Sequence, residues 1–179
     1  MCQPCRRAIA FLRSFDPDGW HNLVAIHPVT QQITARTFAP GSWENMQEWI
    51  AARNTNGLNV YFTVNEVHPK TGDRKPGKTD IAWIRAVWID VDPPKDQPYA
   101  EGRRLVEKTL FALPSSPCPP THLLDSGGGL QAFWRLRDKL LADAETVAWA
   151  EGQGRALKAE FGGDAVQNID RIMRVPRAP

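Results

Sequence analysis

Ile81-Ala-Trp-Ile-Arg-Ala-Val-Trp-Ile-Asp-Val-Asp92 is nearly continuous in apolar, β-branched and aromatic residues. A strand with one wet face alternates apolar with polar, so a run like this one is a strand covered on both faces and belongs in the centre of a sheet. Its end changes character. Asp90 and Asp92 stand two apart, and because side chains alternate along a strand, both carboxylates face the same way before Pro93-Pro94 turns the chain. Upstream, Leu58-Asn-Val-Tyr-Phe-Thr-Val64 has the composition of another strand, and the loop His68-Pro-Lys-Thr-Gly-Asp-Arg-Lys-Pro-Gly-Lys-Thr-Asp80 joins the two.

The rest of the chain follows from periodicity and punctuation. Ile9, Leu12 and Phe15 fit one face of a first helix, broken by Asp16-Pro-Asp-Gly19. Residues 22–26 and 33–38 make an antiparallel pair around a turn at residues 27–30. Ser42 can cap a helix that buries Met46, Trp49 and Ile50 and ends at Asn56-Gly57. Residues 98–113 read as a helix with Leu105, Val106, Thr109 and Leu110 inward, closed by a Pro-rich linker over residues 114–120. Two strands, 121–124 and 130–136, flank Ser126-Gly-Gly-Gly129. Asp143 caps a last helix carrying Val147, Ala150, Leu157 and Phe161, weakened by Gly152 and Gly154 and ended by Gly162-Gly163. Residues 172–175 form a final strand. Helices interspersed with strands and hairpins predict an α/β (α+β) sandwich with a mixed sheet.

A chain of 179 residues suits one domain, here divided into an N-terminal α/β part, 1–57, and a motif-bearing part, 58–179. The apolar share of 42% and charged share of 23% are those of an ordinary globular domain and name no function. A net charge of +2 permits a polyanionic partner without demanding one. Cys2, Cys5 and Cys118 are too few for a disulfide framework, and with no signal peptide evident the expected setting is cytoplasmic. Cys2-Gln-Pro-Cys5 has the spacing of half a zinc site, but the other half is missing. The longest early apolar run, residues 8–12, is far too short to span a membrane.

Three blocks carry chemistry. The paired carboxylates of Asp90 and Asp92 are hard oxygen ligands suited to Mg²⁺ or Mn²⁺, which would activate a hydroxyl and steady a pyrophosphate leaving group; taken alone, the motif is equally a polar strand end. Ser126, Gly127, Gly128 and Gly129 open onto Leu130-Gln-Ala-Phe-Trp134, and backbone amides without Cβ atoms can approach a triphosphate, although a glycine hairpin turn has the same composition. Gly162-Gly-Asp164 precedes Ile169-Asp-Arg-Ile-Met-Arg-Val-Pro176, where Arg171 and Arg174 can clamp phosphate oxygens and a further aspartate can complete a metal site. A surface ion-pair array would look similar.

In this order the blocks resemble the archaeo-eukaryotic primase superfamily, particularly the primase-polymerases of phages, plasmids and other mobile elements. The match runs over residues 58–176: two acids around one hydrophobic residue (Asp90-Val-Asp92), a Ser-Gly turn (Ser126 onward), and an acid ahead of Arg-hydrophobic-hydrophobic-Arg-hydrophobic-Pro (Arg171 to Pro176). The resemblance implies a catalytic half like an RNA-recognition motif and template-directed nucleotidyl transfer, as primase or DNA polymerase, with two divalent metal ions. Its ligands would be Asp90, Asp92 and Asp164, with Asp170 as the substitute for Asp164. Ser126, the 127–129 turn, Gln131, Arg171 and Arg174 would contact the nucleoside triphosphate, NTP or dNTP.

Two departures stand out. Gln131 occupies the place of the family's usual histidine and cannot carry its charge. The chain also ends at Arg177-Ala-Pro179, where relatives continue, which suggests a module excised from a longer replication protein with a helicase or helical domain. Lys70, Arg74, Lys75 and Lys78, in the loop before the acidic strand, are expected to neutralise the phosphates of a single-stranded DNA template. Asn65 could bond a nucleotide or cap a turn, and His122 reads as a core histidine. A metal-dependent nuclease and a non-catalytic module binding single-stranded nucleic acid are the competing readings.

Overall fold

The computed structural model describes residues 3–111 and 118–176. Cys2, Leu113 and most of the linker over residues 114–120 lie outside them. The chain forms two compact units, Met1–Ile84 with Ile169–Pro179, and Arg85–Asn168.

In the first unit, α1 (Gln3–Phe15) leads to the hairpin of β1 (His21–Ile26) and β2 (Ile33–Phe38), then α2 (Trp43–Thr55), β3 (Asn59–Thr63) and the short β4 (Glu66–Val67). The sheet runs β2-β1-β3-β8, where β8 (Ile172–Arg174) is the returning segment. Its pairs are antiparallel: His21 faces Phe38, Leu23 faces Phe62 and Tyr61 faces Arg174. The 3.6-residue spacing of α1 puts Ala8, Leu12 and Phe15 inside, and the rings of Phe11 and Phe15 meet Phe62 edge-on at 5.2 and 5.4 Å. Such contacts add to the burial of a fully enclosed ring, and Phe62→Ala would cost about 3–5 kcal/mol. On α2 the expected face of Met46, Trp49 and Ile50 is buried, with Trp49 edge-on to Phe38. β4, a two-residue strand that the sequence did not suggest, pairs Glu66 with Trp83 at the start of β5 (Ile81–Val91).

In the second unit, the later part of β5 is followed by α3 (Tyr99–Phe111), β6 (His122–Asp125), β7 (Leu130–Leu141) and α4 (Ala144–Phe161), and β7 stands between β5 and β6. Ile89 and Val91 of β5 and Leu130 and Ala132 of β7 cover one sheet face, against Val106 and Leu110 of α3, with Leu157 and Phe161 of α4 packed alongside. Leu110 is fully enclosed, so Leu110→Ala would cost about 2–5 kcal/mol. Leu105, expected inward, is instead 50% exposed. The buried stripe of α3 is Gly102, Val106 and Leu110, four apart, and its neighbour at 105 is turned about 100° away. Asp143 caps α4 as expected, accepting from the Thr146 amide at 2.8 Å, and Gly162 ends it in the left-handed region at φ 68°. Of its internal glycines, Gly154 lies against Gln167, where a Cβ would come within 2.7 Å, whereas a Cβ on Gly152 would meet only the end of Arg155 at 3.7 Å. β7 runs five residues past the expected end at 136. Its polar second half, Arg135 onward, does not look like a buried strand.

Candidate active site

The alternation that buries Ile89 and Val91 sends Trp88, Asp90 and Asp92 to the opposite face of β5. A slip of one residue would drive both carboxylates into the apolar cluster, so the burial of Ile89 and Val91 fixes where the acids point. Asp90 is half-buried and Asp92 exposed.

Three short segments close on this strand end. The first is the glycine turn. A Cβ on Gly129 would collide with the Asp92 carboxylate and the Val91 carbonyl, and would lie 3.0 Å from the Asp92 Cα, so only glycine allows this approach. The second is Gln131, 3% exposed, whose Nε2 points at Asp90 Oδ2 across 3.5 Å and whose Oε1 has no hydrogen-bond partner among the described residues. With Asp92 beside Gly129 and Asp90 beside Gln131, the numbering rises on β5 as it falls on β7, and the two strands are antiparallel. The third is Gly163-Asp164. A Cβ on Gly163 would come within 2.5 Å of the Ile89 side chain and 2.8 Å of the Asp90 carbonyl, and the Asp164 amide donates to that same carbonyl at 2.8 Å.

Thus Asp90, Asp92, Gly129, Gln131 and Asp164 come together in the second unit. Among the described residues, no three His, Cys, Asp or Glu side chains form a group placed to hold a metal ion. Asp164 is exposed and joins Asp90 through its backbone, while Asp170 belongs to the first unit.

The glycine turn is internally bonded in a way its sequence did not show. Gly127, at φ 88°, gives its amide to Asp125 Oδ1 at 2.7 Å. The Gly129 amide goes to Ser126 Oγ at 2.9 Å, and that hydroxyl donates in turn to the Gly129 carbonyl at 3.0 Å. The Ser126 hydroxyl and these two amides therefore shape the turn instead of standing open to a triphosphate.

Two residues of α3 that the sequence reading passed over hold the turn from outside. Arg103 donates to Asp125 Oδ2 at 2.6 Å, to Glu107 Oε1 at 2.9 Å and to the Gly129 carbonyl at 3.4 Å. The Tyr99 hydroxyl lies 3.3 and 3.2 Å from the carbonyls of Gly127 and Gly128. Burial alone would raise the Asp125 pKa, but the bonds from Arg103 and the Gly127 amide outweigh it and hold the carboxyl below its ordinary value. Arg103 with Glu107 four residues on is a helix pair visible in the sequence; its reach to Asp125, 22 residues away, is not.

The remaining candidates lie in the first unit. Arg171 is exposed, and its carbonyl accepts from the Val64 amide at 3.1 Å. Arg174 is half-buried; it donates to the Tyr61 hydroxyl at 3.1 Å and lies over that ring at 5.4 Å. In the basic loop, Arg74 makes a two-pronged pair with Asp80 at 2.7 and 2.5 Å. Burial would raise the Asp80 pKa, yet Arg74 and the Gly77 amide lower it. The loop is tied to the hairpin by Thr37, which donates to the Gly72 carbonyl at 2.5 Å, and by Asn22, which donates to the Arg74 carbonyl at 3.1 Å. Lys70, Lys75 and Lys78 are exposed on this braced loop, while the Arg74 guanidinium is engaged by Asp80. Asn65 is buried and donates to the Ile169 carbonyl at 3.0 Å, a structural role. His122 is half-buried, and burial followed by the charge of Arg135 lowers its pKa.

No family model matches the chain, and no curated protein does. Solved structures do. The AEP domain of the Cyanophage S-2L primase-polymerase is similar over 97% of this chain and 82% of its own, with 19% identity and a TM-score of 0.65. The primase RepB′ is similar over 96% of this chain and 49% of its own, with 16% identity and a TM-score of 0.62. The catalytic domain of RepB′ in complex with initiator DNA covers 97% and 76%, with 16% identity and a TM-score of 0.61. The chain therefore has the fold of an archaeo-eukaryotic primase catalytic domain.

Proposed function

We propose that the chain is a nucleotidyltransferase of the primase-polymerase type, building or extending primers on single-stranded DNA. The observation that carries this reading is the placement of Asp90 and Asp92 on one face of a strand end, with Gly129 and Gly163 packed at distances no other residue allows, in a chain with the primase fold. The backbone at this strand end is held on both sides, which suits a site where ligand positions must not drift.

In the reaction proposed, the 3′-hydroxyl of the growing strand attacks the α-phosphorus of an incoming nucleoside triphosphate. A new O–P bond forms, the bond to the β-phosphate oxygen breaks, pyrophosphate leaves and the hydroxyl proton is lost. Asp90 and Asp92 offer only oxygen donors, which fit Mg²⁺ or Mn²⁺, and Asp164, next to Asp90 by its backbone, is the third ligand proposed, ahead of Asp170. Such ions, when bound, would lower the cost of ionising the hydroxyl and offset charge on the leaving group. Gln131, buried with its amide toward Asp90, supplies hydrogen bonds without charge. Ser126 and its turn act by shape, holding Gly129 against Asp92. Arg171 and Arg174 are proposed as phosphate ligands, and Lys70, Lys75 and Lys78 as contacts to template phosphates, in keeping with the neighbour solved in complex with initiator DNA.

De novo priming and primer-extension assays on single-stranded templates, with NTPs and dNTPs and with Mg²⁺ or Mn²⁺, test the reading. Triphosphate-dependent products of defined length support it. Strand cleavage that needs no triphosphate would support a nuclease instead, and strand binding without incorporation a non-catalytic module.

A further inference from the structure

β7 carries two different faces along its 12 residues. Leu130, Ala132 and Trp134 belong to the apolar cluster with α3. The alternate positions begin with Gln131, beside Asp90, and the enclosed Phe133, and continue with Arg135, Arg137 and Lys139, all exposed. Three cations on one face within five residues exceed what a chain of net charge +2 provides on average, and Asp138, the one acid among them, points to the other face by the strand's alternation. β6 pairs with β7 only as far as Phe133, so the basic half extends past its neighbour on that side.

We propose that Arg135, Arg137 and Lys139 form a cationic track on the exposed half of β7 that binds the sugar-phosphate backbone of single-stranded DNA. Residues two apart in a strand lie about 6.6 Å from each other. Successive phosphates of a single strand drawn out straight lie at about this distance from each other, so the three cations can meet successive phosphates. The two arginines give planar, two-pronged donors for phosphate oxygens, and the row makes no base-specific contact, which suits a site that must accept any template sequence. Arg135 already acts electrostatically here, its charge being one reason that the pKa of His122 is lowered, after burial.

The proposal rests on the template-directed reading above and is tested apart from it. Binding of a fluorescein-labelled oligo-dT single strand is measured by anisotropy over a range of salt, without metal or nucleotide. The full chain is compared with the triple variant Arg135→Ala, Arg137→Ala, Lys139→Ala, and with Arg135→Lys, Arg137→Lys, which keeps every charge. Each phosphate contact to a single strand contributes about 0.7 to the slope of log K against log salt. The alanine variant should therefore lose about 2 from the slope and the lysine variant should keep it. Parental slope and affinity in the alanine variant, or no oligo-dT binding by the parental chain, would overturn the track. Binding that depends on the track in a chain that incorporates no nucleotide would leave the track standing and sink the polymerase reading, whereas incorporation with an unaltered slope would do the reverse.

Discussion

The Asp164 amide donates to the Asp90 carbonyl at 2.8 Å, so the segment that ends α4 is fastened to the strand that carries the paired acids. Gly163 makes the bond possible, because a Cβ there would press on the Asp90 carbonyl and on Ile89. Gly163→Ala is expected to push the segment off the strand. A crowding penalty of about 1–3 kcal/mol should appear in denaturant melts, with a loss of nucleotide incorporation larger than the melt alone explains. Parental melts and rates would show that the close approach is dispensable.

Gly129→Ala is expected to act on the acid pair from the other side. The new methyl meets the Asp92 carboxylate and the Val91 carbonyl, so the turn or Asp92 must shift. Incorporation should fall at least about tenfold, while template binding, read by anisotropy, stays near parental.

Much of this fold is legible in the sequence. β2 and β5 have the bounds their composition indicated, α2 buries the stripe its spacing indicated, and Asp90 and Asp92 share a face because alternation leaves no other choice. What stayed hidden depends on contacts distant in sequence. The turn at residues 126–129 looked like a set of open amides, but Asp125 and Ser126 close it locally and α3 clamps it from more than 20 residues away. Arg74 looked like a DNA contact in a basic loop, but its fork faces Asp80. The length of β7 was missed for a related reason. Its second half is polar and exposed, so hydrophobic pattern, the main sequence signal for a strand, is absent there.

The clamp from α3 gives a pH prediction. The folded-state pKa of Asp125 lies below the ordinary 3.8, so the carboxylate stabilises the fold above that pH, and the contribution disappears as pH falls from about 4 through the lower folded value. Asp125→Asn should flatten the acid limb of stability in that window and leave stability near neutral pH lowered. Arg103→Met should do the same and also raise the KM for nucleotide by loosening the turn, with Arg103→Lys restoring part of it. An acid limb identical to the parent in both Asp125→Asn and Arg103→Met would exclude the clamp as a stabilising unit.

Gln131 tests the departure from the family pattern. Gln131→Ala should weaken nucleotide binding by the net worth of one hydrogen bond, about 0.5–1.5 kcal/mol, a small effect beside the loss of an acid. Gln131→His should retain activity and add a pH dependence near the imidazole pKa, about 6.5. If incorporation appears only in Gln131→His, the parental chain is a binding module.

Arg171 separates binding from stability. It is exposed, so Arg171→Ala should leave thermal melts unchanged while raising the KM for nucleotide by roughly tenfold, the worth of a charge-assisted contact of about 1.5 kcal/mol. Equal KM values for the variant and its parent would return Arg171 to an ordinary surface role.

The role of the paired acids is read from the single-turnover rate of nucleotide incorporation, on a primed single-stranded template with saturating Mn²⁺, for the parental chain against Asp90→Asn and Asp92→Asn. Neither substitution opens a cavity, so circular dichroism and melts should match the parent. The parent should incorporate nucleotide, and each variant should be slower by on the order of 10³-fold or more, as several kcal/mol of lost charge stabilisation requires. Parental rates in both variants would contradict that role.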